Sequence, residues 1–167
     1  MRLTTPIPVL AISLERSLDR RSRMQAQFSC FDCFDWCFVD AVDGRRLPKA
    51  AAMMLSKSAQ WSEHQKGSIG CFLSHVMCWE KLEAECASHA IILEDDAIFP
   101  RLNDIFSIDL PSDFDLIFLN ERMSLPILDE PPVCYPSIRG VIGHSQQDRF
   151  WGAGTDGYLI SAAGVQK

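Results

Sequence analysis

The sequence predicts a single α/β domain with a mainly parallel sheet and helices on both of its faces. The 167 residues are the length of one ordinary domain, and 47% of them are apolar, which is enough to bury a core. Short apolar runs also alternate with stretches of helical period, an order typical of parallel sheets. We therefore treat residues 1–167 as one domain.

The first elements can be placed from apolar runs and their flanking residues. A strand is predicted over 8–14, where an apolar run follows two prolines. A helix over 17–28, capped by Ser17, should follow, and then a second strand over 35–44 that ends in the turn at Asp43. The expected apolar stripe of the helix consists of Leu18, Met24 and Phe28.

The strongest helical pattern covers residues 67–87, after a surface loop and a short helix over 49–57. Its apolar residues recur at helical spacing, with charge gathering toward the end. The expected apolar face comprises Ile69, Phe72, Leu73, Val76, Met77, Trp79 and Leu82.

The second half of the chain continues the alternation. The third and fourth strands are predicted over 90–94 and 114–121. A long loop over 122–150 should contain a hairpin-like piece near 138–144. A last short strand lies within 157–167, with a serine-capped helix just beginning behind it.

Charge and hydropathy exclude two classes of protein. The formal net charge is −6, which argues against a nucleic-acid-binding protein because such proteins usually carry a basic face. No apolar run approaches the roughly 20 residues of a membrane helix, so we expect at most peripheral association with a membrane. The N-terminal apolar run lacks a good cleavage site, and we interpret it as the first strand and not as a signal peptide.

Seven cysteines are a high count for a chain of this size. Cys30 and Cys33 have the C-x-x-C spacing of a zinc knuckle, but no second ligand pair follows at a defined distance. Cys71 and Cys78 lie one heptad apart in a helix, where free cysteine behaves as a small hydrophobic residue. We expect reduced thiols of a cytosolic protein and no zinc site.

Polar side chains follow each predicted strand. Ligands of open α/β sheets bind outside the carboxyl ends of the strands, and we expect these side chains to converge there. They are Glu15, Arg16, Ser17, Asp40, Asp43, Glu94, Asp95, Asp96, Asn120 and Glu121.

Three consecutive acids, Glu94, Asp95 and Asp96, follow the third apolar run. Unpaired carboxylates repel one another, and hard oxygen ligands of this kind suit Mg²⁺ or Mn²⁺. Alternate side chains of an extended segment point the same way, so Glu94 and Asp96 should share one face and Asp95 should point elsewhere. A metal held by that pair could clamp a diphosphate.

Two other interpretations of the acids remain open. The first is a solvated turn, because acidic residues commonly follow strands. The second is a phospho-acceptor site of the receiver-domain type, in which acids from two strand ends hold Mg²⁺. The first strand is followed here by Glu15 and Arg16, and the basic residue fits that pattern poorly.

Six segments occur in the order and spacing of the family 25 glycosyltransferases, and the chain resembles that family from about residue 7 to 165. They are AISLERSLDRRSRM, FVDAVDGRRL, GSIGCFLSHVMCWE, AIILEDDA, DLIFLNE and GTDGYLISAAG. The family includes bacterial lipooligosaccharide galactosyltransferases and is similar to collagen galactosyltransferase domains. The resemblance implies a GT-A-like fold, a UDP-sugar donor, a Mn²⁺ or Mg²⁺ ion and inversion at the anomeric carbon.

The resemblance also assigns roles to residues. Asp96 would bind the metal and the diphosphate, and Glu94 would face the ribose or reach the metal through water, in a D-x-D-like motif completed by Asp95. Each of three residues could instead have a purely structural role. Arg20 could lie on a solvated helix face, Asp43 could form a turn, and His75 could be a core residue. The rest of the implied donor pocket comprises Leu14, Arg16, Ser17, Asp19, Arg20, Asp43 and His75.

Two residues are candidates for the base that takes a proton from the acceptor hydroxyl, namely Asp156 and Glu121.

The family usually has glutamate where this chain has Ser68, and its members continue beyond the last predicted strand. We therefore expect acceptor-side segments to be missing from this chain.

Two functions follow from the resemblance. One is a metal-dependent inverting transferase that moves a hexose, for which we expect galactose, from a UDP-sugar to lipooligosaccharide or another surface glycan. The other is a degenerate relative that binds nucleotide without transfer. Either would be cytoplasmic, with a lipid-linked acceptor drawing it to the inner face of the membrane.

Overall fold

The computed structural model describes residues 1–56, 65–119, 143–144 and 156–167. Its strands are β1 (Ile7–Ser13), β2 (Phe34–Asp40), β3 (His89–Glu94), β4 (Ala97–Ile98), β5 (Leu116–Phe118), β6 (Gly143–His144) and β7 (Gly157–Ser161). Its α-helices are α1 (Leu18–Phe28), α2 (Lys49–Leu55), α3 (Gln65–Ala84) and α4 (Ala162–Val165). Short 3₁₀ helices cover Gly44–Arg46 and Leu102–Ser107.

Five strands form one sheet in the order β2-β1-β3-β7-β5. β1 pairs in parallel with both β2 and β3, whereas β7 pairs antiparallel with β3 and β5. Four strands therefore point one way and β7 points the other. The mainly parallel α/β prediction is confirmed, and the arrangement is consistent with a GT-A-like fold.

The central strands are buried on both faces because nearly every residue in them is apolar. In β1, Val9 packs in the cluster that contains Met24 and Phe28 of α1. Its neighbour Leu10 packs in the opposite cluster, with Leu82 of α3. Alternate residues of one strand thus bury helices on the two faces of the sheet, as predicted.

The N-terminal end of α1 differs from its prediction. Ser17 occupies the N-cap position, but its side chain makes no capping hydrogen bond. Leu18 is 68% exposed, so the apolar stripe consists of Met24 and Phe28. Leu18 is the first residue of the helix and precedes the turns that pack against the sheet.

The buried face of α3 is rotated away from the predicted one, and Phe72 is 56% exposed. The reason is close backbone packing: Oγ of Ser74 accepts a hydrogen bond from the Val42 amide at 2.8 Å. A Cβ on Gly70 would lie 2.6 Å from the carbonyl oxygen of Val42. Small residues let the helix approach the chain after β2, and large apolar residues turn outward. The buried residues of α3 are Gly70, Ser74, His75, Cys78 and Leu82.

The remaining elements lie close to their predicted positions. β2 ends at Asp40, earlier than predicted, because Asp43 caps the following 3₁₀ helix. Ser161 caps α4, with its Oγ accepting from the Gly164 amide at 3.0 Å. β6, near the predicted hairpin-like piece, pairs antiparallel with β4. The rest of the predicted 122–150 loop lies outside the described residues.

The sequence also led to expectations about the cysteines and about membrane-spanning helices. The cysteines among the described residues are free thiols, namely Cys30, Cys33, Cys37, Cys71, Cys78 and Cys86. In the described part of the chain, no helix combines the length and apolarity needed to cross a membrane.

Two glycines of α3 allow a matched test of its packing. Gly70→Ala should destabilise the fold by about 1 to 3 kcal/mol, because its Cβ would meet backbone atoms of Val42 and Gly44. Gly67→Ala should stabilise it by roughly 0.5 to 1 kcal/mol, because nothing lies within 4 Å of the added Cβ. Urea denaturation measures both. Equal effects of the two changes would contradict the close approach at Gly70.

Candidate functional site

The three acids at the end of β3 divide between the two faces of the sheet. Nε2 of His75, on α3, lies 3.4 Å from Oε1 of Glu94. Nη1 of Arg20, on α1, lies 2.7 Å from Oδ1 of Asp95 and 3.8 Å from Oδ2 of Asp96. The prediction that Glu94 and Asp96 share a face is therefore wrong. The strand ends at Glu94 and a turn follows, so strand alternation does not extend to Asp96.

Arg20 supplies positive charge to the two aspartates on the α1 face. Oδ2 of Asp95 also accepts a hydrogen bond from Oγ of Ser13 at 2.8 Å, so both of its oxygens have partners. The hydrogen bond from Arg20 to Asp95 is the largest cause that raises the pKa of the guanidinium. We call Ser13, Arg20, Asp95 and Asp96 the strand-edge cluster. It brings together the ends of β1 and β3 and the first turn of α1.

A second ion pair between an arginine and an aspartate lies beside this cluster, beyond the end of β2. Arg16 forms an ion pair with Oδ2 of Asp43, whose Oδ1 accepts from the Arg45 amide at 3.1 Å. The Arg16 hydrogen bond is the main reason that the pKa of Asp43 is lowered. These contacts support the structural interpretation of Asp43 as a turn residue, and its role in donor binding stays a prediction.

The other predicted residues of the first motif shape the turn into α1. The carbonyl oxygen of Leu14 accepts from the Ser17 amide at 2.9 Å, which closes the turn. Asp19 is exposed in the first helical turn, where a carboxylate interacts favourably with the helix dipole. All three therefore have a local structural role, and their contribution to a donor pocket is a prediction.

His75 is 4% exposed and belongs to a buried polar network. Its Nδ1 lies 2.8 Å from the hydroxyl of Tyr158, which also accepts from Nε1 of Trp79 at 3.0 Å. Burial is the main cause that raises the pKa of Tyr158. The sequence argument missed Tyr158 and Trp79 as site residues, although His75 and Trp79 are four residues apart and so share a helical face.

A surface cavity of about 460 Å³ opens beside this network. Apolar and small residues of α3 dominate its lining, so it can accommodate a small ligand next to His75. The lining residues are Gly67, Ser68, Cys71, Phe72, His75 and Trp79.

Of the two candidate bases, Asp156 lies at the edge of the sheet where β3 ends. Because β7 runs antiparallel to β3, the start of β7 meets the end of β3, and the Glu94 amide donates to the Asp156 carbonyl at 2.9 Å. Asp156 is 5% exposed. Glu121 and the neighbouring Asn120 lie outside the described residues.

Comparison with known proteins decides the family. The model of the family described as "Glycosyltransferase family 25 (LPS biosynthesis protein)" matches residues 7–123. The chain belongs to glycosyltransferase family 25. This match includes every residue of the strand-edge cluster.

Individual relatives agree with the family. The family 25 chain is 32% identical to a mouse protein named "Inactive glycosyltransferase 25 family member 3", over 95% of this chain and 28% of that protein. It is 34% identical to "Glycosyltransferase 25 family member" of Aedes aegypti, over 95% of this chain and 27% of the relative. It is 29% identical to "Procollagen galactosyltransferase 1-A" of Xenopus laevis, over 95% of this chain and 27% of that protein. The chain thus spans less than a third of the length of these relatives.

The divalent cation implied by family 25 can be tested against the donor set. Asp95 and Asp96 place hard carboxylate oxygens on one face of the sheet, and such oxygens suit Mn²⁺ or Mg²⁺. Glu94 is turned toward His75 and Cys71 on the other face, so it does not complete this set. The donor set of the family 25 chain therefore suits a hard cation bound by Asp96, but not one bound jointly by Glu94 and Asp96.

The strand-edge cluster predicts a measurable contribution of Arg20 to stability. Arg20→Ala should lower the free energy of unfolding by about 1 kcal/mol, because two neighbouring carboxylates lose their cation. Added salt should restore part of the loss by screening the repulsion. Arg23→Ala, at an exposed position of the same helix, should change it by less than about 0.5 kcal/mol. Urea denaturation at two salt concentrations measures both, and indistinguishable variants would contradict the role of Arg20.

Proposed function

We propose that this chain is the donor-binding part of a metal-dependent inverting glycosyltransferase that uses a UDP-sugar. The observation that carries the proposal is the strand-edge cluster, where Arg20 faces Asp95 and Asp96 outside the carboxyl end of β3. This is the position at which α/β sheets bind ligands. Membership of family 25 supports a nucleotide-sugar as that ligand.

Each residue of the cluster has a different role in binding a diphosphate. Asp95 is anchored by Ser13 and fixes the turn. Arg20 is 43% exposed along its side chain and can turn its guanidinium toward a phosphate, which arginine binds bidentately. Asp96 would then hold Mn²⁺ or Mg²⁺. When bound, such an ion neutralises the charge of the departing UDP.

The protein groups must also align the two reacting atoms. Binding energy holds the anomeric carbon in line with the acceptor oxygen, and a carboxylate takes the proton from that oxygen. Asp156 is the base we propose within the described residues, because it lies next to the end of β3. Glu121, which follows the fourth predicted strand, is the other candidate.

The names of relatives suggest the sugar and the acceptor. The frog relative is named a procollagen galactosyltransferase, and the family description refers to LPS biosynthesis. We therefore propose galactose as the transferred hexose and a hydroxyl of lipooligosaccharide or another surface glycan as the acceptor. A lipid-linked acceptor would bring the chain to the inner face of the cytoplasmic membrane.

The second candidate function is nucleotide binding without transfer. The mouse relative is named inactive, and Ser68 stands in the cavity lining where the family usually has glutamate. UDP-galactose that binds but is never hydrolysed or transferred would favour this function.

UDP binding tests the role of Asp96. In a calorimetric titration we expect Mn²⁺ to tighten UDP binding to the wild-type chain and Asp96→Ala to reduce that Mn²⁺-dependent gain by about tenfold to hundredfold. The matched control is Asp109→Ala, which removes an exposed carboxylate paired with Arg2 and should leave binding unchanged. UDP affinity that depends on neither Mn²⁺ nor Asp96 would show that the proposed metal role is wrong.

A further inference from the structure

A cysteine, a histidine and a glutamate converge on one point between α3 and the end of β3. Cys71 and His75 are one helical turn apart and project from the same side of α3. Glu94, the last residue of β3, reaches the same point from the sheet. The Sγ atom, a ring nitrogen and a carboxylate oxygen all lie within 4.8 Å of one another. We propose that these three residues bind Zn²⁺, at a site separate from the diphosphate site.

Two of the separations between the donor atoms are close to those of tetrahedral zinc. Usual zinc bond lengths place a nitrogen and an oxygen ligand about 3.3 Å apart, and a sulfur and an oxygen ligand about 3.5 Å apart. Nε2 of His75 lies 3.4 Å from Oε1 of Glu94, and Sγ of Cys71 lies 3.9 Å from the same oxygen. Binding of one ion by all three donors would require Sγ of the exposed Cys71 to move closer to the other two.

The chemistry of the donors selects zinc over the hard cations. A thiolate, an imidazole and a carboxylate are ligand types that zinc accepts together, whereas Mg²⁺ and Mn²⁺ prefer oxygen. The site therefore differs from the Asp95 and Asp96 pair in ligand type. It also differs in place, because Glu94 lies on the α3 face of the sheet and the aspartates lie on the α1 face.

Groups around His75 already orient its ring as a zinc ligand requires. Histidine ligands usually hold their second nitrogen in a hydrogen bond that sets ring orientation and tautomer. Nδ1 of His75 lies 2.8 Å from the hydroxyl of Tyr158, which Trp79 holds through a second hydrogen bond. With the proton on Nδ1, Nε2 is unprotonated and can bind a metal, and it lies 3.4 Å from Oε1 of Glu94.

The same three residue types could in principle form a nucleophilic relay, but their arrangement argues for a metal. In a relay the acid holds one ring nitrogen and the thiol contacts the other. Here Oε1 of Glu94 lies next to Nε2 and also contacts Sγ of Cys71, while Tyr158 holds Nδ1. The three donors therefore surround a common point and do not form a chain.

The proposed zinc site borders the surface cavity. Cys71 and His75 both line the 460 Å³ cavity. Zinc with three protein ligands and one open position binds water or an oxygen of a ligand there. We assign to this cavity a small ligand that offers an anionic oxygen to the zinc and an apolar body to Phe72 and Trp79.

The proposal reverses the expectation of no zinc site drawn from cysteine spacing. Cysteine spacing reveals zinc sites that are built from pairs of nearby cysteines and histidines. Here one helix supplies two ligands at i and i+4, and the third comes from a strand that follows later in the chain.

Cobalt substitution tests the site on the full chain. Metal-free protein titrated with Co²⁺ should develop a thiolate-to-cobalt charge-transfer band, and Zn²⁺ should displace it. Cys71→Ser should abolish the band and weaken Zn²⁺ binding by about 100-fold or more, and Tyr158→Phe should weaken it by about tenfold. Cys30→Ser is the matched control, because Cys30 is an exposed thiol elsewhere, and its band should persist.

Alkylation with and without Zn²⁺ gives a second readout. Zinc should protect Cys71 from iodoacetamide and leave Cys30 reactive, as mapped by mass spectrometry. Cys78 should not react in either sample, because burial raises its pKa to about 12. Protection of Cys30 in place of Cys71 would overturn the proposal.

Two further results would overturn it. One is the absence of a cobalt band in the wild-type protein, and the other is a band that depends on Cys30 and not on Cys71. Asp96→Asn separates this proposal from the transferase proposal, since it should leave the cobalt band intact while weakening Mn²⁺-dependent UDP binding. Each proposal can therefore fail alone.

Discussion

The burial of β1 and β3 on both faces is the constraint on which the rest of the structure depends. Two-sided burial requires a helix on each face, and α1 and α3 meet that requirement with Met24 and Leu82 among their packed residues. Within β1 and β3 it leaves polar side chains a place only near the strand ends. The parallel pairing of β1 with β2 and β3 brings the carboxyl ends to one edge of the sheet, where the acids and arginines meet.

Arginines near the start of α1 pair with acids at the ends of β2 and β3. Arg20 pairs with Asp95 after β3, while Arg16 pairs with Asp43 beyond β2. Arg21 pairs with Asp40 at the end of β2 and lies 4.7 Å from the centre of the Phe38 ring. The segment that opens α1 thus offers a cation to each acidic strand end. An anionic ligand can recruit these arginines only by competing with carboxylates that already hold them.

The parts of the fold that depend on local pattern could be predicted from the sequence, and those that depend on close packing could not. Apolar runs located the strands because burial on both faces leaves a nearly unbroken signal. The buried face of α3 was predicted wrongly because Gly70 and Ser74 contact the backbone that follows β2. The periodicity of apolar residues does not reveal such contacts. The end of β3 at Glu94 was predicted, but the alternation of strand side chains was extended to Asp96, which lies in the turn that follows and whose direction the sequence pattern does not encode.

The position of β7 has a consequence for how the chain folds. Residues 157–161 form an interior strand, although β7 follows every other strand of the sheet in the chain. During synthesis β1, β2 and β3 can associate early, but one edge of β3 stays open and β5 lacks this neighbour until β7 emerges. From the synthesis of β3 until that of β7 the nascent protein therefore carries an unpaired sheet edge, a state vulnerable to mispairing with other chains.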